Sequence, residues 1–201
     1  MVIKRTGTAL TTMALAIGFI ASTPAYAQAD HALHLAADAA THESLESANV
    51  HGINIAFELQ DRNGNLVTAE NFRGRYVLLG FGFTNCAHIC PMMVLNMGKA
   101  LKMTDHEAAG IFVSVDTERD TPAVTDTYAS NFGETMIGLS GSYEQVSAAA
   151  ENFKVSFAVT KTQANYTVQH TANVYVIDPA GELLDVFTFA TEPDVLLGAM
   201  R

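Results

Sequence analysis

The chain has no tryptophan and only two cysteines among its 201 residues. Two cysteines cannot build a disulfide-dense scaffold. Without tryptophan, the Trp-containing redox signature of thioredoxins cannot be present in full. Basic residues are also scarce: 11 Lys and Arg stand against 21 Asp and Glu, a formal charge of −10. A nucleic-acid binder neutralises phosphates with Lys and Arg, so this balance argues against that class, and no nucleic-acid partner is expected. No apolar run reaches the ~20 residues that a helix needs to cross a bilayer, and no internal repeat is visible. What remains is ordinary for a globular chain: 49% hydrophobic and 16% charged residues, enough to bury a core and too apolar for disorder.

The N-terminus reads as an address. Lys4 and Arg5 precede a nearly uncharged stretch from Thr8 to Ala21, followed by Ser22-Thr23-Pro24 and Ala25-Tyr26-Ala27. This is the three-part layout of a secretory signal peptide cleaved after Ala27. Pro24 and the Ala-x-Ala pattern argue against the alternative, an uncleaved membrane anchor. Cleavage removes two positive charges and no negative one, so the mature chain is more acidic still. The expected product is exported and soluble in a bacterial periplasm, where disulfides are permitted. Three segments follow: signal peptide 1–27, a leader 28–52, and a domain 53–201. The leader is Ala-rich and acidic and holds His31, His34, His42 and His51. Their irregular spacing favours a soluble tether over a metal-catching tract.

From Ile53 the pattern tightens. Ile53, Ile55, Phe57 and Leu59 alternate with polar or small residues, as in a half-buried strand. Asn63-Gly64 signals a hairpin turn, with Leu66–Ala69 returning. Tyr76–Phe83 is a continuous apolar run, suited to a strand covered on both faces. Ile111–Val115 and Val174–Ile177 are similar, and Met136–Leu139, Val155–Val159, Tyr166–Val168 and Leu183–Phe189 are shorter β segments. Helices are predicted from Pro91 to Thr104, from Asp120-Thr121-Pro122 to Phe132, over Ser142–Asn152, and over Glu192–Met200. Strands alternating with helices, then a final hairpin and helix, predict an α/β thioredoxin-like fold. It would have a central mixed sheet flanked by helices and an N-terminal β-hairpin. Gly80-Phe81-Gly82 imitates part of a dinucleotide fingerprint, but the third glycine is absent and the pair lies inside a strand.

The sharpest feature is Cys86-Ala87-His88-Ile89-Cys90-Pro91. On a helical turn, residues four apart share a face with Cβ atoms ~5–6 Å apart. The pair follows a buried strand and precedes a helix, whose N-terminus lowers thiol pKa values. Two neighbouring thiolates suit Cu(I) or Zn(II). A purely structural disulfide is disfavoured, because closing so short a loop stabilises by only ~2 kcal/mol, against ~4.7 for a 100-residue loop. Spacing alone leaves a redox dithiol and a metal site both open. His170, taken alone, reads more readily as a structural histidine than as a ligand.

Three ordered motifs narrow the choice. They are Gly82-Phe83-Thr84-x-Cys86-x-x-x-Cys90-Pro91, Ser114-Val115-Asp116-Thr117-Glu118-Arg119-Asp120-Thr121-Pro122, and His170-Thr171-x-x-Val174-Tyr175-Val176-Ile177-Asp178-Pro179-x-Gly181. Together they resemble the Sco/SenC family over roughly residues 53–189. The resemblance implies a thioredoxin-like copper carrier that serves cytochrome c oxidase assembly. Cys86 and Cys90 match the family's thiolate ligands and form a disulfide when oxidised, and His170 matches its distant ligand. Soft sulfur suits Cu(I), and imidazole helps to hold Cu(II). The implied partners are the oxidase subunit carrying the dinuclear copper centre and a periplasmic thiol reductant or copper donor. Asp116, Arg119 and Asp120 match an acidic-basic stretch. Asp116, at the end of a buried strand, is expected behind the ligands, supporting them, whereas Asp120 or Thr121 is expected to cap the helix that Pro122 begins.

The sequence departs from the family pattern in places. Ala87 and His88 stand where Pro and an acidic residue are common, Gln169 replaces a frequent Asp, and Met92 replaces an often acidic residue. Met92, Met93 and Met97 read as core filler rather than ligands, and His88 is expected to point away from the cysteine face. The main alternative is a thiol-disulfide oxidoreductase keeping acceptor cysteines reduced. A peroxidase activated by Arg119, and a docking module without chemistry, are further readings.

Overall fold

The computed structural model describes residues 52–200. The expected signal peptide, and the leader's His31, His34, His42 and His51, lie outside the described residues. β1 (Glu58–Gln60) and β2 (Leu66–Thr68) form the N-terminal hairpin. Its turn is organised by Asp61, whose Oδ1 accepts the amides of Asn63 and Asn65 at 2.8 Å each, with Gly64 at φ +81°. After a short 3-10 turn, β3 (Tyr76–Gly82) leads to α1 (Ile89–Met103), β4 (Ala108–Ser114), α2 (Pro122–Ser130), β5 (Met136–Leu139) and α3 (Tyr143–Asn152). Then come β6 (Phe157–Lys161), β7 (Tyr166–His170), β8 (Asn173–Ile177), β9 (Leu183–Thr188) and α4 (Pro193–Ala199).

Five strands form a mixed sheet in the order β5-β4-β3-β8-β9. β3, β4 and β5 run parallel, while β8 is antiparallel to β3 and β9 to β8. Every residue of β3 is buried, the physical reason for its uninterrupted apolar run. Its side chains alternate between two cores. Val77, Leu79 and Phe81 join Phe57, Ile111, Phe153 and Tyr175 on one face. Tyr76 and Leu78 join Met93, Met97, Phe112 and Leu196 on the other. Gly80 and Gly82 take the α1 side. A Cβ on Gly80 would stand 2.8 Å from Met93 Cε, so the glycine-containing run records close helix–strand packing and not nucleotide binding. This architecture is the expected thioredoxin-like one.

Several boundaries differ from the sequence reading. Ile53 and Ile55 pack on the core but precede the ladder, which starts at Glu58. α1 begins at Ile89, two residues before Pro91. Pro91 still falls in the first turn, where a missing N–H leaves no intrahelical bond unmade. β6 starts at Phe157 and β7 reaches His170, both later than predicted. Among the described residues, β6 and β7 pair only with each other, as a separate two-stranded sheet. Among the described residues, no helix is long and apolar enough to cross a membrane.

Candidate metal centre

β3 ends against α1, and residues 83–88 connect them. Cys86 lies on this connection, partly exposed, and Cys90 is the second residue of α1, fully buried. Both are free thiols. α1 starts without a side-chain cap. Instead, the Cys90 amide donates to Cys86 Sγ at 3.4 Å. The two thiols are consequently unequal. Burial raises Cys86, but the Cys90 amide and thiol and the amides of His88 and Ile89 outweigh it and hold Cys86 below the ordinary thiol value. Burial pushes Cys90 well above that value, and the neighbouring Cys86 sulfur adds to the rise. The expected lowering of thiol pKa is met at Cys86 and reversed at Cys90, whose pocket is apolar. Gly82 makes room for it: a Cβ there would stand 2.9 Å from Cys90 Sγ and 2.6 Å from Phe112.

His170 closes β7 and reaches the same spot. Its Nε2 is 3.5 Å from Cys90 Sγ. Its Nδ1 is 2.9 Å from the Thr171 carbonyl, which assigns the proton to Nδ1 and leaves the Nε2 lone pair toward sulfur. The Phe83 ring stands edge-on at 5.7 Å. Burial lowers the His170 pKa, so the ring is neutral at neutral pH, the form that binds metal. Two ligands on one ion, at ~2.3 Å for sulfur and ~2.0 Å for nitrogen with a tetrahedral angle, lie ~3.5 Å apart. The Cys90–His170 separation fits that span. Among the described residues, no three His, Cys, Asp or Glu side chains form a closed metal cluster. Cys86, Cys90 and His170 are therefore neighbours in an open set and not a preformed cage.

Two buried aspartates stand behind the site. The Asp120 carboxylate accepts the Thr84 amide (2.7 Å), the Thr84 hydroxyl (2.6 Å) and the Ser114 hydroxyl (2.6 Å). Thr84 is two residues from Cys86, so Asp120 braces the thiol loop. Of the two expected helix caps, Thr121 takes the role and Asp120 does not. Thr121 alone caps α2, accepting the Val124 amide, because Asp120 sits one residue earlier and turns inward. The Asp116 carboxylate forms no hydrogen bond with Cys86, Cys90 or His170. It accepts the Tyr166 hydroxyl and Arg119 Nε, each at 2.5 Å. Its support goes to the His170 hairpin and not to the ligands themselves.

His88 is exposed at the N-cap position of α1. Met93 and Met97 are fully buried in the core, while Met92 is exposed, and Gln169 is exposed on β7. Arg119 is engaged by Asp116 and by the Tyr166 ring. Tyr166, which sequence reasoning passed over, meets Asp116 through its hydroxyl and Arg119 through its ring. Its only signal was its place on alternate residues with Val168 and His170.

A free dithiol at a strand–helix junction, faced by a neutral imidazole on a thioredoxin-like scaffold, defines a class of thiol-based metal or redox proteins. The sequence model of the SCO1/SenC family matches residues 46–201, and the chain belongs to that family. Protein sco1 of Schizosaccharomyces pombe is 34% identical over 140 residues, covering 66% of this chain and 53% of that protein. The chain thus matches about half of that relative's length. The crystal structure of Arabidopsis thaliana ScoI with copper bound superposes with a TM-score of 0.67 at 29% identity, covering 73% of this chain and 94% of that one. BsSco, described with a disulfide switch and as a member of the Sco family of cytochrome c oxidase assembly proteins, gives 0.58 at 27% identity, covering 75% and 92%.

Proposed function

We propose that this protein is a periplasmic copper carrier that holds copper through Cys86, Cys90 and His170. It would deliver copper to the dinuclear copper centre of cytochrome c oxidase. The observation that carries the reading is the approach of His170 Nε2 to Cys90 Sγ at 3.5 Å, the separation expected of two ligands on one ion. Two sulfurs favour Cu(I), and the imidazole extends the site to Cu(II). Cys86 is the partly exposed ligand and the more acidic thiol, so an incoming partner thiolate would meet it first and exchange ligands there. A copper-bound relative and a relative named for oxidase assembly support both halves of the reading. Oxidation of the pair to a disulfide removes both thiolates, so a periplasmic thiol reductant or copper donor belongs to the cycle.

The test is copper titration of the fully reduced protein, first without oxygen and then with Cu(II). One equivalent is expected, with thiolate-to-Cu(II) charge-transfer absorption. Cys86→Ser with Cys90→Ser should abolish tight binding, and His170→Ala should weaken or shift the Cu(II) absorption while sparing Cu(I) stoichiometry. One tight equivalent retained in the double cysteine variant would sink the reading.

The inequality of the two thiols supports a second reading, a thiol-disulfide oxidoreductase. Cys86 would attack a substrate disulfide and Cys90 would resolve the mixed disulfide. The substrate's two sulfurs gain two electrons and two protons as Cys86 and Cys90 lose them. Absence of tight copper together with fast exchange would favour this reading.

A further inference from the structure

β6 and β7 form a sheet of their own, and a two-stranded hairpin is marginal by itself. Yet this hairpin carries His170. Something beyond its ladder must orient it. Alternate residues Tyr166, Val168 and His170 are partly buried, while Thr167 and Gln169 are exposed, as expected of a strand with one inner face. Val168 packs on the core. Tyr166 makes the polar connection. Its hydroxyl donates to Asp116 Oδ1 at 2.5 Å. The Arg119 guanidinium lies 3.9 Å from its ring centroid, and Arg119 Nε holds the other Asp116 oxygen. Beside it, Lys161 of β6 pairs with Glu118. Asp116, Glu118 and Arg119 all belong to the β4–α2 connection. The same connection continues to Asp120, which holds Thr84 of the thiol loop.

We propose that Tyr166 is a positioning residue: its bond to Asp116 and its stacking under Arg119 orient the β6–β7 hairpin so that His170 faces Cys90. The connection from Asp116 to Asp120 then references both halves of the site to one frame, the hairpin through Tyr166 and the thiol loop through Thr84. The consequence for copper rests on the function proposed above, but the geometry belongs to the metal-free protein and is tested there. A hydroxyl bonded to a buried carboxylate is among the stronger hydrogen bonds, and its removal leaves a buried acceptor short of a partner. Burial, and then the bond to Asp116, push Tyr166 up to about 12, so the hydroxyl stays a donor throughout the neutral range.

Tyr166→Phe keeps the ring and its stacking and removes only the donor. In the reduced, metal-free protein, amide exchange in β6 and β7 should rise roughly tenfold, with β3 and β4 unchanged. NMR of the His170 ring should show loss of the ring-current shift imposed by the edge-on Phe83. With Cu(II), the charge-transfer band should move toward that of His170→Ala, while one equivalent of Cu(I) is still bound. Tyr166→Leu, which also loses the stacking, should go further in the same direction. Thr167→Ala, on the exposed face, should leave every readout at the wild-type value. Wild-type exchange and His170 shifts in Tyr166→Phe would overturn the proposal, whatever copper does. If the wild-type protein itself takes up no copper, the carrier reading falls, and the exchange and ring shifts still decide the role of Tyr166.

Discussion

The two halves of the site are built by different means. The thiol half grows from the middle of the five-stranded sheet: β3 lies between β4 and β8 with every residue buried, and it runs directly into the loop of Cys86. The histidine half hangs outside that sheet, on a hairpin whose backbone ladder, among the described residues, joins only its own two strands and which side chains orient. Backbone ladders in a buried sheet open only with the whole fold, whereas a side-chain-held hairpin can open locally. The contrast gives the site one firm side and one yielding side.

The largest disturbance should come from the firm side. Asp120→Ala strands the Thr84 amide and the Ser114 hydroxyl without their carboxylate. A loss of about 3 kcal/mol in urea unfolding is expected, with fast exchange in the thiol loop and little change in the hairpin. Stability within about 0.5 kcal/mol of wild type would show that the brace is dispensable. A smaller effect separates the two thiols. Cys86 is lowered and Cys90 raised, so the thiolate fraction at neutral pH is larger on Cys86. Alkylation followed by mass spectrometry should label Cys86 at least about tenfold faster at pH 7. Raising the pH should reach the Cys86 midpoint below that of a free thiol and the Cys90 midpoint above it, and equal rates would contradict the asymmetry. The smallest effect belongs to the yielding side. Thr171 Oγ accepts the Ser156 amide at the base of the hairpin. Thr171→Val should cost under about 1 kcal/mol globally while exchange near Ser156 rises. A fall in global stability as large as that of Asp120→Ala would erase the distinction between the two sides.

The firm side was also the more legible one. Runs such as Tyr76-Val77-Leu78-Leu79 announce their strands because burial on both faces leaves no position for polar residues. The Cys86–Cys90 spacing places its own chemistry, since both residues flank one helix start. The hairpin was blurred by two residues at each strand, because its partly buried face carries few strongly apolar side chains and its ends are set by contacts rather than by pattern. Asp120 read as one of two candidate caps because it precedes Thr121-Pro122. Its true partner, Thr84, is 36 residues away, and no local periodicity encodes such a meeting. Tyr166 escaped for the same reason: Asp116 is 50 residues distant. The link between His170 and the dithiol entered only through the family resemblance, since 80 residues separate His170 from Cys90.

One feature of α1 ties the chemistry of the site to the integrity of a helix. Helix starts ordinarily recruit Ser, Thr, Asp or Asn oxygen to satisfy their first amides. Here that duty falls to the sulfur of Cys86, which accepts from Cys90. The atom that would grip the cargo is therefore also the plug in the open end of the helix. Drawing its electron density toward an ion, or into a bond with another sulfur, weakens the plug. Loading and oxidation would then each be felt as a change in the tightness of the first turn of α1, carried to the surface by the exposed side chains of Ile89 and Met92.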